Sequence, residues 1–259
     1  MTTKHKEAPS GAELVNPYDS DNEKSAQIEK MFDSISPVYD FMNTAMTFGM
    51  HRIWRNSALK AAKNALGKID GNADILDIAT GTGDLAFRML CLFPDAAITG
   101  VDLSSGMLSV ARKKAESLPE ADKLRISFEE GDCLNLRFAD NSFSLVTVAY
   151  GVRNFERLLE GYSEIRRVLR PGGVLCVIEL SQPRHFPLRQ GYNVYSRSLI
   201  PFVGRLVSGD AKAYTYLPES IAACPQRDDM TALMKRAGFR ECRWRSLFPD
   251  AVTYYLAKK

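Results

Sequence analysis

The chain has 259 residues, 45% of them apolar and 25% charged, with a formal net charge of +3. These values exclude a disordered chain, a collagen-like repeat and a disulfide-stapled mini-protein, and they describe a chain long enough to bury a large core. The small positive sum lacks the clustered excess of a nucleic-acid binder, so no nucleic-acid partner is expected.

Residues 1–24 are polar and aperiodic and read as a flexible arm, leaving 25–259 as a single domain. From 25 to 66 apolar residues recur at helical spacing (Ile28, Met31, Phe32, Ile35, then Ile53, Trp54, Ala58, Leu59, Ala62), so a helical cap leads the domain. Ser36-Pro37 breaks its first helix, because a residue before proline avoids the α region. Short apolar runs then suit buried strands at 73–79, 97–101, 125–129, 144–149 and 174–179. Helical stretches at 85–92, 107–118 and 158–169 fall between them, the last ended by Pro171-Gly172-Gly173. Strands alternating with helices make βαβ units and a parallel sheet, an α/β fold. Residues 182–225 interrupt the alternation with an insertion rich in aromatics, among them Tyr192, Tyr195, Tyr214 and Tyr216. A helix at 230–237, ended by Gly238, and two strands around Pro249-Asp250 close the chain.

Five cysteines (Cys91, Cys133, Cys176, Cys224, Cys242) form no C-x-x-C pair, which fits a reducing compartment. Three scattered histidines give no metal site. The N-terminus has no apolar signal segment and no run reaches the roughly 18 apolar residues of a membrane span. A cytoplasmic protein is expected, compatible with peripheral contact at the inner face of the membrane and with a homodimer.

The first strand runs into Asp77-Ile78-Ala79-Thr80-Gly81-Thr82-Gly83-Asp84. A glycine-rich turn between strand and helix lets a ligand approach the backbone at the carboxyl end of the sheet. The dinucleotide pattern G-x-G-x-x-G is not met: Ala79 replaces the first glycine, and Asp84 would repel a pyrophosphate at the helix N-terminus. A cationic, phosphate-free ligand such as S-adenosylmethionine suits the turn better. Asp102 ends the second strand, where a carboxylate accepts from two ribose hydroxyls. Asp132 follows the third, where it can accept from an adenine amine while the Cys133 amide donates to a ring nitrogen.

The order D-x-A-T-G-T-G-D, V-D, G-D resembles the class I adenosylmethionine-dependent methyltransferases. Tyr39–Trp54 (YDFMNTAMTFGMHRIW), Arg167–Ser181 (RVLRPGGVLCVIELS), Tyr150–Asn154 (YGVRN) and the stretch from Asp210 to Ile221 resemble signature segments of the UbiE/MenG quinone C-methyltransferases. The resemblance covers about 25–257. It implies a Rossmann-like, seven-stranded, mostly parallel sheet flanked by helices, with N-terminal helices and the aromatic insertion before the last strands. It implies adenosylmethionine as cofactor, held by Asp77, Gly81, Thr82, Gly83, Asp102, Asp132 and Cys133. It also implies methyl transfer to a ring carbon of a prenylated demethylmenaquinol, ubiquinone precursors being a second substrate class. The rivals are a class I methyltransferase for another small lipophile and an NAD-dependent dehydrogenase.

Such a reaction needs the ring carbon in line with the methyl group and the quinol oxygen favoured as a phenolate or relieved of its proton. Arg153, after the fourth strand, is the candidate for stabilising the phenolate or orienting a water; its other reading is an ion pair with a structural carboxylate. His51 has the intrinsic pKa of a proton acceptor, but a lone His near Trp54 on an amphipathic helix is more often a packed, hydrogen-bonded residue. Asp210 is readable as base or helix cap, and Tyr214 as base or pocket wall. The cap (25–66) and the insertion (182–225) are expected to wall the substrate pocket. Arg184, Arg189, Arg197 and Arg205 are expected either to meet anionic headgroups or to form a solvated face.

Overall fold

The structure, a computed structural model, describes residues 11–18, 20–67, 73–196 and 211–259. Three helices lead: α1 (Lys24–Ile35), α2 (Tyr39–Thr47) and α3 (Met50–Leu66). Pro37 separates the first two through a 3-10 turn, Ser36–Val38. Phe48 and Gly49, both at positive φ, separate α2 from α3. The alternation follows as β1 (Asp74–Ile78), α4 (Asp84–Leu92), β2 (Ala97–Asp102), α5 (Ser105–Ala115), the short α6 (Glu120–Lys123), β3 (Ile126–Glu130), β4 (Phe143–Ala149), α7 (Leu158–Val168) and β5 (Leu169–Leu180). The insertion contributes α8 (Leu188–Val194) and α9 (Ala211–Ala223), and the chain ends with α10 (Asp228–Arg236), β6 (Arg240–Leu247) and β7 (Val252–Lys258).

The seven strands form one sheet in the order β3-β2-β1-β4-β5-β7-β6. β7 runs antiparallel to β5 and β6, and every other pairing is parallel. The strand order reverses between β1 and β4, and sheets of this kind bind ligands outside the carboxyl ends of the strands at that switch. Neighbouring side chains of one strand enter opposite cores, since strand side chains alternate. Leu76, Val146 and Val177 pack with Tyr162, Ile165 and Met230 on one face. Ile75, Leu145 and Cys176 pack with Leu59, Leu85, Met89 and Leu108 on the other. Cutting the fully buried Leu59 back to alanine would cost about 2–5 kcal/mol. A third, smaller cluster joins Ile28, Met31, Ile35 and Met42 of the leading helices to Met107 and Tyr216, and so seats the cap over the switch.

Two expectations change. The arm is not free over its described part: Gly11–Leu14 forms a 3-10 turn with Ala12 fully buried. The Glu13 carboxylate accepts the Leu158 amide at 2.7 Å, and the buried Lys24 ammonium donates to the Ala12 carbonyl. A single small apolar side chain flanked by charged anchors has no periodicity, so the sequence pattern is silent there. Strand β5 starts at Leu169 rather than 174, because Leu169 already pairs with Phe143 before a register shift.

Candidate functional site

The turn after β1 is held from below. The buried Asp77 carboxylate accepts the hydroxyls of Thr80 at 2.7 Å and of Thr147, on β4, at 2.5 Å. Burial pushes its carboxyl up to about 6 against those two bonds. Gly83 takes φ +81, and a Cβ there would fall 2.8 Å from the Phe87 ring and 2.9 Å from that of Phe128. The Thr82 hydroxyl donates to Asp40 at 2.6 Å. Asp77, Thr82 and Gly83 therefore shape the turn and tie it to the sheet and the cap. Asp84 also changes role: Arg55 at 2.8 Å and Lys114 at 2.9 Å neutralise it, so it does not present a bare charge to a ligand.

Gly81, Asp102, Asp132 and Cys133 do come together, in a cavity of about 70 Å³ at the carboxyl ends of β1–β3. Asp102 accepts the amides of Gly81 at 2.7 Å and Ser104 at 2.9 Å, and burial raises its carboxyl. Asp132 accepts the Leu134 amide at 2.9 Å. Burial pushes the Cys133 thiol well up, so its backbone rather than its sulfur is the useful group. The walls include the acids Glu29, Asp102, Asp132 and Glu156, and among the described residues no lysine, arginine or histidine. Such walls favour a cation and disfavour a phosphate. They fit adenosylmethionine, with its sulfonium and ammonium, and do not fit the pyrophosphate of NAD. The argument that Asp84 was expected to carry is carried by these four acids.

A second cavity, of about 430 Å³, lies between the cap, the ends of β4 and β5, and helices α8 and α9. It is lined largely by apolar side chains such as Met42, Met46, Trp54, Leu180 and Leu217. Phe32, Tyr39 and Tyr150 wall both cavities, so the two meet there.

Arg153 and His51 both line the large cavity. Arg153 is buried; its guanidinium donates to Glu179 at 2.8 Å and to the Tyr150 carbonyl. The structural ion pair and the place in the cavity thus coexist. The buried His51 has Nδ1 2.7 Å from the Thr47 hydroxyl, which lies 2.6 Å from the Asn43 carbonyl. A carbonyl can only accept, so Thr47 gives its proton to Asn43 and receives one from His51. The neutral imidazole therefore carries its proton on Nδ1 and leaves Nε2 as an acceptor. Burial and the neighbouring Arg55 lower its pKa, which keeps it neutral. Asp210, Arg197 and Arg205 lie outside the described residues, and Tyr214 falls within α9.

Sequence reasoning did not single out Glu179, Arg55 or the clamp residues Asp33 and Asp40. Glu179 had a signal, an acid inside an otherwise apolar strand. Asp33 accepts the Ser104 hydroxyl at 2.5 Å and the Gly106 amide at 2.9 Å, a contact between α1 and the β2–α5 turn that no spacing reveals.

The sequence profile of the ubiE/COQ5 methyltransferase family matches residues 20–259. The chain belongs to the ubiE/COQ5 methyltransferase family. Its relatives within the family include the demethylmenaquinone methyltransferase of Porphyromonas gingivalis, 45% identical across 95% of this chain and 98% of that one. The ubiquinone/menaquinone biosynthesis C-methyltransferase UbiE of Paracoccus denitrificans is 39% identical over 88% of each chain. The fold is shared more widely. A possible histamine N-methyltransferase of Thermotoga maritima superposes with a TM-score of 0.59 at 20% identity, covering 89% of this chain and 99% of that one.

Proposed function

We propose that the protein transfers a methyl group from S-adenosylmethionine to a ring carbon of a prenylated demethylmenaquinol. The observation that supports this most is the meeting of an acid-lined cavity with an apolar one across Phe32, Tyr39 and Tyr150. Bound in the acidic cavity, adenosylmethionine supplies an electrophilic methyl group. Asp102 accepts from the ribose hydroxyls, Asp132 and the Cys133 amide address the adenine, and Gly81 keeps the turn open for close approach. The cap (25–66) and the insertion (182–225) wall the large cavity, which excludes water and holds the ring at the junction. Nε2 of His51 takes the proton of a quinol hydroxyl. Arg153, oriented by Glu179, stabilises the negative oxygen left behind.

The prenyl tail enters from a membrane surface. Phe48, Phe186 and Phe248 are 82%, 80% and 79% exposed, and each lies at or beside the rim of the large cavity. Apolar side chains around an apolar entrance suit insertion into a lipid interface. Arg184, stacked 5.3 Å from the Trp244 ring, and Arg189 are exposed nearby and meet anionic headgroups. Among the described residues no helix is long and apolar enough to cross a membrane.

The deciding experiment incubates the protein with adenosylmethionine and a chemically reduced short-chain demethylmenaquinol, and reads the product by mass and carbon NMR. A new ring-carbon methyl is expected. Methylation on oxygen alone, or turnover of other lipophiles with none of the quinol, would overturn the reading.

A further inference from the structure

Two aromatic residues of the cap wall both cavities, and each is followed in sequence by a carboxylate that grips one of the turns around the cofactor cavity. Phe32-Asp33 lies in the last turn of α1 and Tyr39-Asp40 opens α2, on either side of the 3-10 turn at Pro37. The Phe32 and Tyr39 rings meet edge to face, their centroids 6.1 Å apart at 75°, and form a partition between the acidic cavity and the apolar one.

Asp33 takes the turn between β2 and α5. Its Oδ1 accepts the Ser104 hydroxyl at 2.5 Å and the Gly106 amide at 2.9 Å. Both donors sit at the start of α5, where the helix dipole favours an anion. A Cβ on Gly106 would fall 2.9 Å from that same oxygen, so the close approach requires the glycine. Asp40 takes the turn between β1 and α4. It accepts the Thr82 hydroxyl at 2.6 Å and pairs with Lys114 at 2.5 Å. The Lys114 ammonium goes on to the Thr82 carbonyl at 3.1 Å and to Asp84 at 2.9 Å. Lys114 lies in the last turn of α5, so the two aspartates hold that helix at both ends. The gripped residues also flank one bond of the cofactor cavity, from the Gly81 amide to Asp102 at 2.7 Å. Thr82 follows Gly81, and Ser104 gives its own amide to Asp102 at 2.9 Å. Each clamp is thus one residue away from that bond and one residue away from an aromatic of the partition.

We propose that Asp33 and Asp40 are positioning residues that transmit occupancy of the cofactor cavity to the acceptor cavity, by fixing the Phe32–Tyr39 partition to the two cofactor turns. This rests on the C-methylation reading of the two cavities and specifies how their ligands affect each other. A ligand seated between the gripped turns orders the partition against which the acceptor ring packs. The second ligand then meets a wall already in place and binds more tightly, and by thermodynamic reciprocity the ring tightens the cofactor by the same factor. Stability is a poor account of the Asp40–Lys114 pair: its side chains are 39% and 31% exposed, and such pairs contribute about 0–1 kcal/mol.

Calorimetry on the full chain tests the coupling. The probe 2-methyl-1,4-naphthoquinone is titrated with and without saturating S-adenosylhomocysteine, which keeps the adenosyl and amino-acid parts of the cofactor and has no methyl group to transfer. The adenosyl ligand is expected to tighten naphthoquinone binding about tenfold. Asp33→Ala and Asp40→Ala should each bring that factor below about twofold, while either ligand alone binds within about threefold of its native affinity, because Asp102 and the apolar walls are untouched. A merely structural loss would weaken the separate affinities and leave their ratio as it was. Asp40→Ala keeps the test independent of folding, since its carboxylate is partly exposed and alanine favours a helix. Phe32→Leu leaves both clamps intact and should also lower the factor. Absence of coupling in the native chain, or coupling that survives in Asp40→Ala, would overturn the positioning role alone. Failure of the naphthoquinone to bind under either condition would overturn the acceptor reading of the large cavity, and this inference with it.

Discussion

Arg153 and Glu179 form an ion pair 2.8 Å long in which both side chains are buried, 8% and 2% exposed. Glu179 also accepts the amides of Arg153 at 3.3 Å and Leu180 at 2.8 Å, so one carboxylate ties the end of β5 to the loop after β4. Removing one partner of a buried pair strands the other's charge and costs about 3–5 kcal/mol. Glu179→Gln should therefore lower the urea midpoint clearly. Arg153→Ala should remove most turnover while calorimetry finds adenosylmethionine affinity preserved, since Arg153 lines the substrate cavity and not the acidic one. Near-normal turnover would end its assigned role.

On the proposed mechanism His51 should control the acid side of the rate profile. Its pKa is lowered from 6.5 by burial and by Arg55, so the free base persists below pH 6.5. kcat/KM should fall as pH drops through that lowered value, and the limb should vanish in His51→Gln along with most of the rate. Thr47→Val removes the acceptor for Nδ1–H and lets the tautomers mix; kcat should drop severalfold with KM little changed. An acid limb unchanged in His51→Gln would assign the base elsewhere.

On the proposed reading Asp102 sets the affinity for the cofactor. Asp102→Asn removes a charge and one acceptor site while leaving an oxygen for the Gly81 or Ser104 amide. Loss of charge-assisted bonds worth about 1.5–3 kcal/mol should weaken adenosylmethionine binding roughly tenfold to a hundredfold. An unaltered dissociation constant would remove Asp102 from the site.

Asp77 should leave its mark on stability. Its carboxyl is raised from 3.8 to about 6 by burial, so between those values the folded state binds more protons than the unfolded one. Stability then falls as pH rises through that window, by up to about 3 kcal/mol. Asp77→Asn cannot ionise and should lack this slope. Urea melts of both proteins at intervals from pH 4 to 7 measure the difference, and parallel curves would contradict it.

The aromatic rim should govern contact with lipid. Replacing Phe48, Phe186 and Phe248 together by serine should reduce sedimentation with anionic liposomes and raise KM for long-chain quinols more than for short-chain ones. Because all three are highly exposed, the melting temperature should hardly move. Unchanged partitioning would dispose of the membrane entrance.

Much of the fold was legible along the chain because its signals are local. A strand covered on both faces, such as Phe143–Ala149, reads as a mostly apolar run, and helices such as Leu158–Val168 must repeat their apolar side chains each turn. The turn glycines and the acids after successive strands were legible for the same reason: a parallel sheet delivers every strand end to one edge, so position along the chain implies position in space. Gly81, Asp102, Asp132 and Cys133 accordingly line one cavity. Only the tertiary structure decided which groups are spent on holding the site and which are free to act in it. Asp77 and Asp84 are carboxylates like Asp102, yet Thr147, Arg55 and Lys114 reach them from distant segments and satisfy them. Arg55 of α3 reaches the same cavity as Tyr150 and Arg153, which follow β4, only because the cap packs over the edge of the sheet. Whether a buried polar group is satisfied depends on neighbours far away in sequence, and folding alone brings those neighbours together.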